Sequence, residues 1–286
     1  MNAFLTESSI PLQNISHHYP QVQLVDVLRL DLLHPVISGN KWFKLRYYLA
    51  DATEQKKSTI VTMGGPWSNH LVATAAACAQ MGFRSIGLVR GEEPKQYSAT
   101  LLKAKELGMK LVFLSREEFD QGEPASNWLS QDHYFIPAGG FGEKGAKGAA
   151  GILDITEKQY NFIACAVGTG TTLAGLISQS CREQQLLGIS ALKGHEELEE
   201  NIHSLCTTSF HNWRILRDFH FGGYARYDAN LLQFMNEFYA ETGIPSDFVY
   251  TGKLFFAFHT LVQGGYFPST AAFCSFTVAD CRATVP

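Results

Sequence analysis

From Ser58 to Ala191 the chain alternates short β-rich runs with amphipathic stretches, and this alternation leaves few folds open. Thr59–Met63 reads as a buried strand ending in Gly64-Gly65-Pro66, and Ser68–Met81 as an alanine-rich helix stopped by Gly82. Ser85–Val89 is a second strand, Ser98–Leu107 a helix closed by Gly108, Lys110–Leu114 a third strand and His133–Ile136 a fourth. After the glycine-rich turn Gly139–Gly151 the pattern resumes, with a strand over Phe162–Val167, a helix over Thr171–Gln179 and a strand over Leu186–Ala191. Strands joined through helices run parallel, and glycine supplies the left-handed stop at a helix end. The expectation is an α/β protein of parallel twisted sheets flanked by helices. It divides into a smaller lobe over residues 42–136 and a larger one over residues 1–41 and 137–286, with a cleft between them as the natural ligand site.

Composition narrows the class. The 286 residues are 45% hydrophobic and 17% charged, enough apolar material for a large core. The formal net charge of −4 is spread over the chain and lacks the basic footprint of a nucleic-acid binder. No run approaches the roughly 20 apolar residues of a membrane helix, and Met1–Leu12 lacks the basic-then-apolar order of a signal peptide. The six cysteines (78, 165, 181, 206, 274 and 281) never pair as C-x-x-C, so neither a metal site nor dithiol chemistry is expected. These features together predict a cytoplasmic protein.

Four segments carry chemistry. In Ala164-Cys165-Ala166-Val167-Gly168-Thr169-Gly170-Thr171-Thr172-Leu173-Ala174-Gly175 an apolar strand enters a Gly/Thr turn and opens a helix. Free backbone N–H groups, threonine hydroxyls and the helix dipole make such a turn an anion cradle. A Walker loop would need G-K-[ST] where Ala174-Gly175-Leu176 stands, and a dinucleotide site an acid after Leu186–Ala191. A phosphate monoester needs neither, and a plain tight turn remains the bland alternative.

In Ser38-Gly39-Asn40-Lys41, the lysine stands at a helix start. It is either an ordinary solvated lysine or a desolvated amine whose neutral form suits Schiff-base chemistry. In Gly64-Gly65-Pro66-Trp67-Ser68-Asn69-His70, Ser68 or Asn69 serves as a helix cap or presents a carboxylate site, and His70 packs or faces a substrate. Phe248-Val249-Tyr250-Thr251-Gly252-Lys253 ends a short run in a tyrosine that is either filler or a ring partner.

Taken in order, S-G-N-K, G-G-x-x-S-N-H, P-A-G-G, G-T-G-T-T-L-A-G and V-Y-T-G-K resemble one family over about Leu24 to Pro268. It comprises the 1-aminocyclopropane-1-carboxylate deaminases and D-cysteine desulfhydrases, pyridoxal-phosphate enzymes of the tryptophan synthase β-subunit fold (fold type II). The resemblance implies that Lys41 carries pyridoxal 5'-phosphate as a Schiff base and moves the substrate proton. It implies that Gly168, Thr169, Gly170, Thr171 and Thr172 hold the phosphate, that Asn69 bonds the ring's phenolic oxygen, and that Thr251 adds to the cofactor site. Ser68 would bind the substrate carboxylate or assist proton transfer, beside Trp67, Asn69 and His70, and Tyr250 would face ring and substrate. A homodimer and a small amino-acid substrate follow from the same resemblance.

Three departures bear on the activity. Ring-opening deaminases of the family carry an acid after the motif tyrosine, where this chain has Thr251, and usually a glutamine where it has Trp67. The desulfhydrase branch, with α,β-elimination to pyruvate, ammonia and sulfide, is therefore favoured, Trp67 forming a larger wall. The third departure is the ending. Phe273–Pro286 lacks the family's strand followed by His-[Thr/Ser/Leu]-Gly-Gly, whose polar residue lies near the pyridine nitrogen in the desulfhydrase branch. Codons can be chosen for this segment that, read one base earlier, give LLLIHSGGLQGNRS. The expectation is a frameshifted ending that replaces a buried core strand with a polar tail and leaves a cofactor-binding protein with weakened or absent catalysis. Sequencing the DNA decides it: a gene in which no single-base change restores that ending rules the frameshift out.

Overall fold

The computed structural model describes residues 10–125, 129–156, 160–208 and 211–277. Its strands are β1 (Leu12–Asn14), β2 (Leu24–Leu28), β3 (Thr59–Gly64), β4 (Arg84–Arg90), β5 (Lys110–Leu114), β6 (His133–Ile136), β7 (Phe162–Val167), β8 (Gln185–Ser190), β9 (Trp213–Leu216) and β10 (Ala272–Phe276). Its α-helices are α1 (Lys41–Glu54), α2 (Asn69–Met81), α3 (Ala99–Glu106), α4 (Arg116–Asp120), α5 (Glu143–Ala150), α6 (Thr171–Gln179), α7 (Leu198–Leu205), α8 (Ala229–Thr242) and α9 (Thr251–Gln263).

The strands form two sheets. The larger has the order β1-β2-β10-β7-β8-β9 and is parallel except where β1 pairs with β2. The smaller, β5-β4-β3-β6, is wholly parallel and lies within residues 42–136. Helices cover both faces of such sheets, so central strands lose the alternation of a half-exposed strand. All of β3 is buried, and all but the first residue of β7 and β8. The α/β architecture of parallel sheets flanked by helices is thus the one expected.

Each sheet reverses its winding once. Strands β3, β4 and β5 step one way, and β6 returns to the other side of β3; β7, β8 and β9 step one way, with β10 across β7. Loops leaving two neighbouring strands in opposite directions open a crevice at their C-terminal ends. One crevice therefore lies beyond Gly64 and Ile136, the other beyond Val167.

Helix α1 belongs to both cores. Trp42, Leu45, Leu49 and Ala52 pack with Ile60, Ala73 and Tyr134 of the smaller sheet's layer, whereas Phe43 packs into the core of the larger. Gly148 in α5 permits this approach, because a Cβ there would stand 1.7 Å from the Phe43 carbonyl oxygen. The start of α1 is thereby fixed between the sheets.

The predicted loss of the terminal core strand is not what the structure shows. Ala272–Phe276 forms β10, paired on both edges with β2 and β7. Phe273 stacks on Phe258 with ring centroids 4.1 Å apart and meets Phe267 edge-on, while Phe276 is fully buried. Burying each phenyl ring contributes about 1.5–3 kcal/mol, which carries the small Cys274 and Ser275 into the core beside them. Residues 278–286, with the position expected near a pyridine nitrogen, lie outside the described residues.

Candidate active site

A cleft of about 750 Å³ lies between the two crevices, lined by the first turns of α1, α2 and α6 and by Tyr250. Lys41 is the first residue of α1 and is buried. Its Nζ donates to Asn40 Oδ1 at 2.7 Å, and Asn40 Nδ2 donates to Thr172 Oγ1 at 2.7 Å, so the amine is linked to the glycine-rich turn. Burial pulls the Lys41 pKa down to about 8, with Asp247 acting in the opposite sense. At pH 7 that leaves about a tenth of the amine neutral, some 300-fold more than for an ordinary lysine. The sequence left open a solvated or a desolvated lysine; the structure supplies the desolvated one.

Gly168 to Thr172 wrap the start of α6. Gly170 adopts φ 86°, and a Cβ there would stand 2.6 Å from Ile202, so the turn is closed to larger residues. Thr169 Oγ1 and Thr171 Oγ1 lie 2.9 Å apart, and the N-cap residue, Gly170, has no side chain with which to cap the helix. Open N–H groups, hydroxyls and the dipole converge there, as an anion site requires.

Ser68 occupies the N-cap position of α2 without making a side-chain cap bond, which leaves its hydroxyl for the cleft. Asn69 follows, and its Nδ2 is buried without a hydrogen-bond partner among the described residues. His70 is held by Thr62, whose hydroxyl donates to the Ile136 carbonyl at 2.8 Å and so accepts from His70 Nε2 at 2.9 Å. Burial, then Lys44 and Lys41, hold the imidazole pKa well below its usual range, so the ring is neutral with a bare Nδ1 that has no partner among the described residues.

The Tyr250 ring lies 5.9 Å from Lys41 Nζ and beside Gly168, and burial followed by Asp247 raises its hydroxyl pKa. Two expected members are placed elsewhere. Thr251 is buried outside the cleft lining, with its hydroxyl donated to Asp247 Oδ2 at 2.5 Å. Trp67 is turned outward, 37% exposed, against Phe248 with centroids 6.1 Å apart, and does not wall the cleft. At Thr251 the start of α9 turns the side chain toward its capping carboxylate. At Trp67 the tight turn Gly65–Ser68 points successive side chains apart.

The motif reading missed Lys44. It lies one turn beyond Lys41, buried and lining the cleft, with no hydrogen bond or ion pair for its Nζ among the described residues. Burial, then Lys41, push its amine well below the ordinary lysine range. The i, i+3 spacing of two lysines behind Gly39-Asn40 was the available signal, since such residues share a helix face.

These groups form a matched set. An anion cradle and a buried second amine with no partner among the described residues fit a phosphate, an activated amine fits an aldehyde, and the Asn69 Nδ2 fits an acceptor oxygen; an unsatisfied buried donor of that kind calls for a partner. Pyridoxal phosphate carries all three functions on one molecule.

Comparison with known proteins agrees. The "Pyridoxal-phosphate dependent enzyme" family model matches residues 5–276. A Pyrococcus horikoshii protein named "Putative 1-aminocyclopropane-1-carboxylate deaminase" is 29% identical over 262 residues, covering 84% of this chain and 80% of that one. The Arabidopsis thaliana "Bifunctional D-cysteine desulfhydrase/1-aminocyclopropane-1-carboxylate deaminase, mitochondrial" is 27% identical over 269 residues, 79% of this chain and 64% of its own length. A solved structure titled as the ACC deaminase homologue superposes with a TM-score of 0.83 at 25% identity, over 96% of this chain and 90% of that one. With Lys41, the glycine-rich cradle and Asn69 gathered in one cleft, the chain belongs to the pyridoxal-phosphate dependent enzymes.

Proposed function

We propose that this enzyme removes the α-proton and a β-thiol from a small amino acid of the D-cysteine kind, giving pyruvate, ammonia and sulfide. The observation that carries the reading is a buried lysine amine, its pKa near 8, standing between an anion cradle and the open N-terminus of α2. When bound, the cofactor supplies the electron sink that weakens the bonds at the substrate's Cα. Gly168–Thr172 and Lys44 would hold its phosphate, and Asn69 Nδ2 would donate to an oxygen on its ring. Ser68 and the free N–H groups of α2 receive a carboxylate at the helix's positive end. The Lys41 amine is the base that takes up the α-proton, and Tyr250 closes the wall facing it. The residue after Tyr250 is a threonine whose hydroxyl is held by Asp247, so this position offers no acid to a cyclopropane ring.

Ring-opening deamination of 1-aminocyclopropane-1-carboxylate is the second reading, favoured by the name of the Pyrococcus relative. A third, cofactor binding without turnover, rests on the altered ending. A homodimer in the cytoplasm accompanies all three, and light scattering checks the dimer.

The test is titration with pyridoxal phosphate, followed in the visible spectrum, then borohydride reduction and mass mapping of the labelled lysine. A new band with the label on Lys41 and sulfide release from D-cysteine is the expected result. Consumption of the cyclopropane amino acid without sulfide release from D-cysteine would favour the second reading, and a band without turnover the third. No band in the folded protein would overturn all of them.

A further inference from the structure

Lys253 is a buried cation that the chemistry above does not use. It is the third residue of α9, where the helix dipole disfavours positive charge, and a lysine in such a place ordinarily extends its head group into water. Lys253 does not, being only 1% exposed. Its Nζ donates instead to the carbonyl oxygens of His220 at 2.8 Å, Gly223 at 2.8 Å and Ala191 at 3.4 Å. No carboxylate is in hydrogen-bond contact with it among the described residues. Burial lowers its pKa to about 8 and Asp247 acts to raise it, so at neutral pH it remains charged.

A ring of neutral backbone carbonyls around one positive charge is the donor set of a monovalent-cation site, since carbonyl dipoles replace a hydration shell without the charge that a divalent ion calls for. The three carbonyls come from two separate loops. Ala191 directly follows β8, and His220 and Gly223 follow β9. Both loops continue into the cleft lining, through Lys193–His195 and through Gly222–Tyr224. The Tyr224 ring meets Tyr250 edge-on at 6.5 Å and stands against Gly65 of the opposite wall. Left alone, three converging carbonyls would repel one another and the loops would part.

We propose that the Lys253 ammonium is a monovalent cation supplied by the chain itself, filling a carbonyl cage that potassium or ammonium would otherwise occupy. It acts as a positioning residue, tying both cleft loops to the helix that follows Tyr250. The wild-type protein accordingly needs no dissolved monovalent ion for cofactor binding, and removing the ammonium creates that need.

The experiment compares wild type with Lys253→Met, which keeps the stem and removes the charge, in choline, lithium, sodium, potassium and ammonium chloride at equal ionic strength. Cofactor affinity is read from the visible titration, and melting temperature from the cofactor-free protein, so the result is independent of which substrate the enzyme takes. Wild type is expected to behave alike in every salt. K253M is expected to bind the cofactor at least about tenfold more weakly in choline, and to recover most of that affinity and its melting temperature in potassium or ammonium. A wild type that requires potassium overturns the proposal, as does a K253M protein equal to wild type in choline, or one that no small cation restores. Lys253→Gln, a shorter neutral donor, provides a second variant should K253M fail to fold. Amine-reactive labelling of the native wild type adds a check without any variant: Lys253 is expected to react only after the surface lysines, and equal reactivity overturns the cage.

Discussion

Asp247 Oδ2 accepts the Thr251 hydroxyl at 2.5 Å, and the same carboxylate receives the backbone N–H groups of Val249, Tyr250 and Thr251. Asp247 is 1% exposed, so these four donors replace its water. They also fix the turn that sets Tyr250 beside Gly168, and the carboxylate acts on Lys41 and Tyr250 electrostatically. Thr251→Val removes one bond to a charged acceptor and should cost about 1.5–3 kcal/mol in urea unfolding. Asp247→Asn turns an acceptor into a donor facing N–H groups, and should cost more while also weakening cofactor binding. Equal, small effects from both would show that the turn holds without the carboxylate.

Trp67 was expected to narrow the substrate site, and its place against Phe248 changes that expectation. Trp67→Gln, which installs the residue usual in the family, should lose about 0.5–1.5 kcal/mol of ring–ring stabilisation. It should leave substrate preference unchanged to within a few-fold. A switch from D-cysteine to the cyclopropane amino acid in kcat/KM assays would return Trp67 to the substrate wall.

Local signals carried much of the molecule. The strand at Thr59, the turn at Gly168 and the helix at Lys41 are written in contiguous residues, in apolar runs closed by glycine, and all appear where the sequence indicates. What stayed hidden depends on distant partners. β10 is specified by the rings of Phe258 and Phe267 and by pairing with β2, more than 240 residues earlier in the chain, so its Cys274 and Ser275 read as polar tail. Thr251 looked like a site residue because it neighbours Tyr250; its direction is decided by Asp247, four residues back. Lys44 was overlooked because burial of a lysine is a property of the assembled cleft.

Lys44 should matter to the cofactor and little to the fold. Its amine lines the cleft near Lys41 with no partner among the described residues, so protonating it in the folded apoprotein works against two unfavourable influences, desolvation and like charge. A bound phosphate would relieve both. Lys44→Met should therefore weaken pyridoxal-phosphate binding by about 10- to 100-fold, the effect of one hydrogen bond between charged groups. It should raise or preserve the melting temperature of the cofactor-free protein. Loss of stability with unchanged cofactor affinity would make Lys44 a structural residue.

The Lys41 pKa also sets a pH dependence of stability. Burial lowers the amine from the ordinary 10.5 to about 8 in the folded protein. Between those values the unfolded chain holds the proton and the folded chain does not, so a rise in pH favours folding through this group. The whole contribution is about 3 kcal/mol at most, from the 1.4 kcal/mol of each pKa unit. Lys253 acts in the same sense, its pKa also lowered to about 8. Cys78, Cys165 and Cys206 oppose it: burial pushes them up to about 12, 12 and 11, so they stay protonated in the folded state after unfolded thiols have ionised, near pH 9. Lys44, pushed well below the lysine range, adds a third rising contribution. The total profile of the cofactor-free protein should thus rise above pH 8, flatten beyond 9 where three thiols offset three lysines, and fall above about 10, where buried tyrosines such as Tyr224 and Tyr250 also keep their protons. Lys41→Met removes this group together with its push on Lys44 and His70, whose pKa values move back toward their usual ranges in the variant, while the thiols are common to both proteins. The stability difference, wild type minus K41M, should climb from pH 8 to about 10.5 and then level off. A difference independent of pH would mean that Lys41 keeps its proton in the folded enzyme and is not the activated amine of this site.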